Sequence, residues 1–126
     1  MTWLRRQALP ADIGKRSEQA ACQFLLDNKI KIVDTNYRCR FGEIDIIGLS
    51  EHHLVFFEVR HRQSNKFGSA AETVDTRKQQ RIILTARHYL GRGKYTELPC
   101  RFDVIEVMAT TSGELSFNWL DNAFQE

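Results

Sequence analysis

The sequence predicts an α/β fold, in which a central mixed β-sheet is flanked by helices in the order α-β-β-β-α-β-β. Two stretches have the apolar period of helices, and five shorter stretches are rich in β-forming residues. The second helical stretch lies between the third and fourth strands, and such a crossover makes those strands parallel neighbours. The short link at residues 50–53 makes the second and third strands an antiparallel hairpin.

Each predicted helix has one charged residue on or beside its apolar stripe. The first helix is predicted over about residues 11–28, with Glu18 at the edge of the apolar face. A carboxylate in that position needs a partner or a function. The second helix is predicted over about residues 71–90 and ends at Gly91. Lys78 lies four residues from apolar neighbours on either side, so we expect it on the inward face of this helix.

The strands are predicted at about residues 30–40, 43–49, 54–60, 101–108 and 115–119. A polar loop is predicted at 63–70, before the second helix. We expect the chain after the last strand to pack against the core through Phe124.

The composition is that of an ordinary globular protein. With 126 residues, 42% hydrophobic and 27% charged, the sequence predicts one domain over residues 1–126. Its three cysteines are odd in number and lack a CxxC pair, which predicts reduced thiols rather than disulfides or a zinc site. No apolar run approaches the ~20 residues of a membrane span, and the chain does not open with a signal-peptide pattern. We therefore expect a cytoplasmic protein that does not associate with membranes.

Positive charge is concentrated in one part of the chain, although the net charge is only +2. Residues 60–101 contain ten Lys or Arg and three Asp or Glu, a local net charge of +7, so the remainder carries −5. A local excess of this kind attracts polyanions such as nucleic acid. A solvated basic helix face would give the same pattern, so charge alone does not decide the function.

Two acidic residues lie on adjacent predicted strands amid apolar neighbours. Strand alternation puts Glu43, Asp45 and Ile47 on one face of the second strand. Glu58 and Arg60 share a face of the third strand. If the hairpin register brings Asp45 beside Glu58, the two carboxylates repel each other unless a cation lies between them. Mg²⁺, which takes oxygen ligands, would resolve this repulsion.

A buried salt bridge from Asp45 to Arg60 or Arg38 is the structural alternative. Glu18 and Lys78 favour a functional site instead. Four charged groups from four separate elements would then lie at the edges of apolar faces, which is unusual for packing alone.

The spacing of these residues resembles a known signature. Gly-Glu-Ile-Asp at 42–45, followed thirteen residues after Asp45 by Glu58-Val-Arg60, resembles the D…(D/E)-x-K signature of PD-(D/E)XK nucleases. The predicted order of elements is similar to that superfamily's core, the restriction endonuclease-like fold. Across almost its whole length the chain resembles the YraN-like family of bacterial proteins, and its arrangement is similar to that of Holliday-junction resolvases. The segments that carry this likeness are 36–38, 42–47, 55–62, Lys78 and 101–104.

The resemblance implies a Mg²⁺- or Mn²⁺-dependent phosphodiester hydrolase that acts on structured or branched nucleic acid, with DNA favoured over RNA. The implied metal ligands are Asp45, Glu58, the Val59 carbonyl and Glu18. Glu43 would lie next to these ligands, and Arg60 and Lys78 would complete the catalytic set. The expected phosphate contacts are Arg38, Arg40, Arg62, Arg77 and Arg81.

One position departs from the signature, which has Lys where this chain has Arg60. A lysine can orient or deprotonate a water, whereas an arginine stays protonated and cannot act as a base. Arg60 could still stabilise charge on the phosphate, and Lys78 could replace the missing amine. The alternative is a catalytically weak or inactive module of the same fold that binds nucleic acid or serves as an adaptor. The sequence leaves open whether the chain is an enzyme and whether it forms a homodimer, which would suit a branched substrate.

Overall fold

The computed structural model of the protein describes residues 10–62 and 74–126. These residues form two helices and five strands. They are α1 (Pro10–Asp27), β1 (Lys31–Cys39), β2 (Gly42–Leu49), β3 (Leu54–Arg62), α2 (Thr76–Leu90), β4 (Cys100–Ala109) and β5 (Leu115–Phe124). The predicted order of helices and strands is therefore confirmed. Within these residues, neither helix is long and apolar enough to cross a membrane.

The five strands form one mixed sheet in the order β1-β2-β3-β4-β5. β2 and β3 pair as an antiparallel hairpin, and β3 and β4 are parallel across the α2 crossover, as the sequence predicts. The other two neighbouring pairs are antiparallel. The pairing of β2 with β3 is short, because it joins only Ile46–Leu49 to Leu54–Phe57. β3 continues beside β4 as far as Arg62, while β2 continues beside β1 as far as Gly42.

Each face of the sheet is covered by one helix over its own hydrophobic cluster. The cluster on the α2 face includes Phe56, Tyr89 and Phe102. The cluster on the α1 face includes Leu25 and Phe57. Side chains of β3 alternate between the two clusters, which is why this central strand is apolar on both faces.

The last strand is longer than the sequence predicts. β5 ends at Phe124, whose ring stacks on Phe102 with centroids 5.1 Å apart, so the expected packing of the tail is confirmed. The bulge between Phe102 and Val104 in the β4–β5 pairing places Asp103, which is fully buried, against the end of β5. Asp103 accepts hydrogen bonds from the Arg101 guanidinium, the Trp119 indole and the Asn122 backbone.

The start of α2 is fixed by Asp75, whose side chain accepts a hydrogen bond from the Lys78 backbone N–H. The helix ends at Gly91, as its sequence predicts. The predicted polar loop at 63–70 and residues 71–73 of the predicted helix lie outside the described residues. Residues 74 and 75 are also predicted as helix, but they precede its start at Thr76.

Two glycines allow the packing of the α1 face to be tested with a matched pair of substitutions. A β-carbon on Gly48 would lie 2.6 Å from Ile30 Cγ2 and 3.2 Å from Phe57 Cε2, whereas one on Gly14, in α1, would meet nothing within 4 Å. We expect Gly48→Ala to lower the free energy of unfolding by about 1–3 kcal/mol through overpacking. Gly14→Ala should raise it by about 0.5–1 kcal/mol, because alanine loses less backbone entropy in a helix. Urea denaturation measures both, and wild-type stability in Gly48→Ala would contradict the described contact between Ile30 and β2.

Candidate functional site

The two acidic residues singled out in the sequence lie where β2 and β3 separate. The next pair in the register after Ile46 and Phe57 would be Asp45 and Glu58, but the strand pairing stops before it. We call this point the fork, and define it by Asp45, Glu58 and Val59. The Asp45 carboxylate lies across it, with Oδ2 accepting a hydrogen bond from the Val59 N–H at 2.8 Å. The side chain of Asp45 thus replaces the backbone pairing that ends there.

The two-residue alternation of β2 breaks at Asp45. Ile44 and Ile47 both pack in the cluster on the α2 face, although they are three residues apart, and Ile46 packs on the α1 face. Asp45 lines a cavity on the α1 side, so the prediction that it shares a face with Ile47 is wrong. The physical reason is that β2 turns where it leaves β3 and keeps only β1 as a neighbour. Asn36, opposite Asp45 in β1, has a φ of +52°, which marks the same irregularity.

A cavity of about 200 Å³ opens between α1 and the fork. Glu18 and Lys15 line it from α1, Asp45 from β2 and Asn36 from β1. Glu18 Oε1 is buried and has no hydrogen-bond partner among the described residues. A buried carboxylate oxygen without a partner is costly, because it has lost its water without gaining another donor. This oxygen therefore needs a proton, a water or a cation.

Burial raises the pKa of the Asp45 carboxyl to about 8, and the negative charge of Glu58 adds to the effect. The hydrogen bond from Val59 lowers this pKa, and the charges of Glu18 and Glu43 raise it further. The pKa of Glu18 is also raised, first by burial and then by Glu43 and Glu58, while its contact with Asp45 and the charge of Arg38 oppose the shift. The fork therefore binds positive charge, either a proton or a cation.

On the opposite side, α2 contributes one cation to the fork. Lys78 Nζ lies 3.0 Å from Glu58 Oε1, with the Glu58 side chain 8% exposed and that of Lys78 43% exposed. This contact confirms the inward position of Lys78. Arg60 is half-buried two residues further along β3, on the same face as Glu58.

Asp45 makes no ion pair with Arg60 or Arg38 in the described structure, so the expected structural alternative is not seen. Arg38 instead pairs with Glu43, its neighbour across the β1–β2 pairing. That pair holds the Glu43 side chain at the edge of the fork, two residues before Asp45.

Oxygen ligands for a divalent cation are available at the fork from Asp45, Glu58 and Glu18. In the described parts of the chain, no three Asp, Glu, His or Cys side chains are grouped closely enough to hold a metal ion by themselves. A cation here would therefore take fewer side chains together with waters, which is how Mg²⁺ is usually bound. The unpartnered Glu18 oxygen and the mutual repulsion of the acids fit such an ion.

The basic residues expected to contact phosphate differ in exposure. Arg77 and Arg81 are exposed one turn apart on α2, and Arg38 and Arg40 are exposed on the β1–β2 hairpin. A β-carbon on Gly42 would lie 3.6 Å from Arg81 Cβ, so the hairpin and this side of α2 are neighbours. Arg62 does not belong to this surface: its side chain is 10% exposed and its Nη1 lies 2.7 Å from Glu106 Oε2.

Sequence reasoning missed Lys15 and Asn36 as parts of the site. Lys15 lies one helical turn before Glu18, so it follows from the helix period once Glu18 is placed at a cavity. Asn36 gives only a weak signal in the sequence, which is that asparagine is a residue type that tolerates positive φ.

A mixed sheet with a helix on each face, in which an acidic pair lies at a strand fork, is the arrangement of the PD-(D/E)XK class. The model for the uncharacterised protein family UPF0102 matches residues 17–107. This chain therefore belongs to the UPF0102 family, the YraN-like group that its motifs resemble.

Three relatives described as UPF0102 proteins show how far the likeness extends. The relative from Hahella chejuensis is 49% identical over 113 residues, which cover 90% of each chain. One from Nitrosomonas europaea is 45% identical over 113 residues, covering 90% of this chain and 93% of the relative. One from Nitrosococcus oceani is 40% identical over 121 residues, covering 95% and 97%.

The raised pKa of Asp45 predicts an unusual pH dependence in metal-free protein. The folded state holds this proton to about pH 8, whereas the unfolded chain holds it only to about pH 3.8. The contribution of protonated Asp45 to stability is therefore complete below about pH 4 and is lost as the pH rises to 8. In EDTA, Asp45→Asn should therefore gain stability relative to wild type between pH 5 and 9. We expect a gain above about 1.4 kcal/mol, the equivalent of one pKa unit.

Thermal and urea unfolding at several pH values measure this difference. Glu114→Gln, at an exposed position just before β5, is the control for removing a carboxyl and should show no comparable gain. A constant difference between Asp45→Asn and wild type would show that the carboxyl is already ionised at pH 5.

Proposed function

We propose that this protein is a metal-dependent nuclease, which hydrolyses phosphodiester bonds in structured or branched nucleic acid with Mg²⁺ or Mn²⁺. The observation that carries the proposal is the fork. There, two carboxylates from adjacent strands lie in a poorly solvated position, where burial and mutual repulsion raise the pKa of Asp45 to about 8. A divalent cation between the two carboxylates would account for this arrangement, because it would offset their repulsion and their loss of solvent.

Asp45 and Glu58 would hold the ion together with the Val59 carbonyl and waters, and Glu18 would orient one of those waters or bind a second ion. When bound, the ion supplies a bound water of lowered pKa and neutralises charge that develops on the phosphate. The Val59 N–H keeps Asp45 oriented across the fork, since it donates to one carboxylate oxygen and leaves the other available. Glu43, held by Arg38, would adjust the charge around these ligands.

Two cations would act on the substrate rather than on the ion. The Lys78 ammonium orients Glu58 and lies where a phosphate that approaches from the α2 side would meet it. It would serve as the amine that the signature has at the position of Arg60. The Arg60 guanidinium, permanently charged, would stabilise the negative charge of the phosphate during hydrolysis.

The exposed arginines on α2 and the β1–β2 hairpin support nucleic acid as the substrate. Arg77 and Arg81 are exposed on α2, and the hairpin that carries the exposed Arg38 and Arg40 approaches α2 at Gly42. Contacts of this kind position a phosphate backbone without reading its sequence. We propose that DNA rather than RNA is the substrate, that it is recognised by its shape, and that the protein is cytoplasmic. A homodimer would suit a four-way junction.

A second candidate function is a nucleic-acid-binding or adaptor module of the same fold with weak or absent cleavage. Two observations favour it. Arg60 cannot act as a base, and Lys78 already neutralises Glu58 without a metal ion. In this case the fork would be a retained structural feature, and the arginine surface would carry the function.

A cleavage assay over single-stranded, duplex, flap and four-way-junction DNA, with matching RNA, tests the first candidate. We expect cleavage that requires Mg²⁺ or Mn²⁺ and that falls at least about 100-fold in Asp45→Ala and in Glu58→Ala, the loss typical of removing a group that stabilises the transition state. Arg60→Lys should keep or raise the activity, since it restores the amine of the signature. Cleavage unaffected by EDTA or by both alanine variants would sink the proposal.

The salt dependence of binding, measured in EDTA, tests the second candidate. Arg77→Ala and Arg81→Ala should each weaken binding to all DNA sequences alike and lower the slope of log affinity against log salt by about 1. Arg62→Ala is the contrasting variant, because its side chain is buried against Glu106 and should affect stability instead. Tight, salt-sensitive binding without cleavage by the wild type would select the binding module.

A further inference from the structure

Aromatic rings and cations are interleaved beside the β1–β2 hairpin and the C-terminal end of α2. We call this surface the aromatic–cationic patch. Its members are Tyr37, Arg40, Phe41, His88, Arg92, Lys94 and Tyr95. It includes all the cation–π contacts found in residues 10–62 and 74–126. Their co-location on one surface is what distinguishes it from scattered surface charge.

The members of the patch are joined by direct contacts. The Arg40 guanidinium lies 4.8 Å from the centroid of the Phe41 ring, and that ring meets His88 edge-on with centroids 6.4 Å apart. His88 in turn contacts Tyr37, through the ring and through a hydrogen bond to its hydroxyl. The Arg92 guanidinium lies 5.8 Å from the Tyr37 ring centroid, which extends the same surface. The patch is therefore continuous from the hairpin to the loop after α2.

Phe41 is not explained by packing. It lies in the two-residue connection at 40–41 between β1 and β2, it is half-buried, and it does not join either hydrophobic cluster. Such turns favour small or polar residues. The backbone freedom needed here is supplied by Gly42, whose φ is +153°. The Phe41 ring thus contacts Arg40 and His88 at the surface rather than the core, and its exposed part can contact a ligand.

The charge of the patch suits an anionic ligand. Arg40, Arg92 and Lys94 are exposed, and none of them forms a salt bridge with a described residue, unlike Arg87, which pairs with Glu126. Lys94 Nζ lies 5.6 Å from the Tyr95 ring centroid, so a cation and a half-buried ring are again presented together. One acid, Asp34, lies with Arg92 and Lys94 around a cavity of about 220 Å³, and the balance there stays positive.

One side of α2 connects the patch to the fork. Arg77, Arg81 and His88 lie at positions separated by four and seven residues, which is one stripe of a helix. This stripe starts beside Lys78 at the fork and rises about 16 Å to His88, a length that spans several nucleotides. A strand bound along it would have its phosphates beside Arg77, Lys78 and Arg81 near the fork and beside the cations of the patch at the other end.

We propose that the aromatic–cationic patch binds an unpaired stretch of nucleic acid, with Phe41 and Tyr95 stacking on bases and Arg40, Arg92 and Lys94 contacting phosphates. Bases in a duplex are already stacked on each other, so only an unpaired strand offers its bases to protein rings. An acidic protein segment would be attracted by the cations but would gain nothing from the half-buried ring of Phe41. The inference deepens the proposed function and rests on it, because it assigns the nuclease a substrate with a single-stranded arm.

Binding in EDTA tests the inference separately from cleavage. Fluorescence anisotropy would measure the Kd of the full chain for a labelled single strand of about 16 nucleotides and for the matching duplex. Phe41→Leu and Tyr95→Leu, which keep an apolar side chain without the ring, should each raise the Kd for the single strand about tenfold. Their Kd for the duplex should stay within about twofold of wild type. Phe41→Tyr keeps a ring and should bind as wild type does.

Two controls keep the result interpretable. Leu115→Ala removes an exposed apolar side chain on β5, away from the patch, and should leave both Kd values unchanged. Thermal unfolding of each variant identifies any loss of fold, and the Phe41 pair is decisive because Tyr95 also packs partly against the core.

Equal losses for single strand and duplex would overturn the inference and reduce the patch to a phosphate-binding surface. Unchanged single-strand binding in Phe41→Leu would overturn it too. The same variant tested with a labelled polyglutamate peptide covers the other partner: a loss of affinity for that peptide alone would indicate a protein partner and overturn the inference. Because these measurements exclude metal, selective single-strand binding without any cleavage would refute only the nuclease proposal. If Asp45→Ala abolishes cleavage but binding does not depend on the rings of Phe41 and Tyr95, only the inference about the patch is refuted.

Discussion

The structure around the site depends on one constraint, which is that β2 and β3 stop pairing at Asp45 and Glu58. Beyond that point β3 is held by β4 and β2 by β1, so the two strands diverge and leave a gap in the sheet. The Asp45 carboxylate occupies the gap through its hydrogen bond from Val59. Like charges in a poorly solvated gap raise each other's energy, and the fold has to offset that cost elsewhere, in the apolar packing on both faces.

The two helices place side chains of opposite charge beside the fork. α1 adds Glu18, a third acid whose buried oxygen lacks a partner in the described structure. Its negative charge makes a bound proton or cation at the fork more favourable. α2 adds Lys78, which neutralises Glu58 from the other face. The fork is thus negative toward α1 and balanced toward α2. Under the proposed function, a divalent ion would be favoured on the α1 side, and an anionic substrate would meet its first positive charge on the α2 side.

α2 also links the fork to the surface around the hairpin, because Gly42 allows the hairpin to approach the helix near Arg81. Lys78 at the fork, the exposed Arg77 and Arg81, and His88 of the aromatic–cationic patch therefore lie along this one helix. By contrast, Asp103 shows what a purely structural buried carboxylate looks like in the same sheet. It accepts four hydrogen bonds, including two from Arg101, and both of its oxygens are satisfied. Asp103 therefore has a packing role, whereas the carboxylates at the fork keep oxygens that could bind a ligand.

The sequence by itself determined the order of helices and strands, the hairpin and the parallel crossover, because apolar periods of 3.6 and 2 and the lengths of the connections are local properties. The motif around Asp45 and Glu58 also determined the family. Only the tertiary structure decided that Asp45 faces α1 rather than sharing a face with Ile47, since alternation fails where a strand changes neighbours. It likewise decided that Arg62 is buried against Glu106, and that Phe41 meets His88 across 47 residues of chain. Such contacts join distant segments, and no local pattern encodes which side chains a twisted sheet brings together.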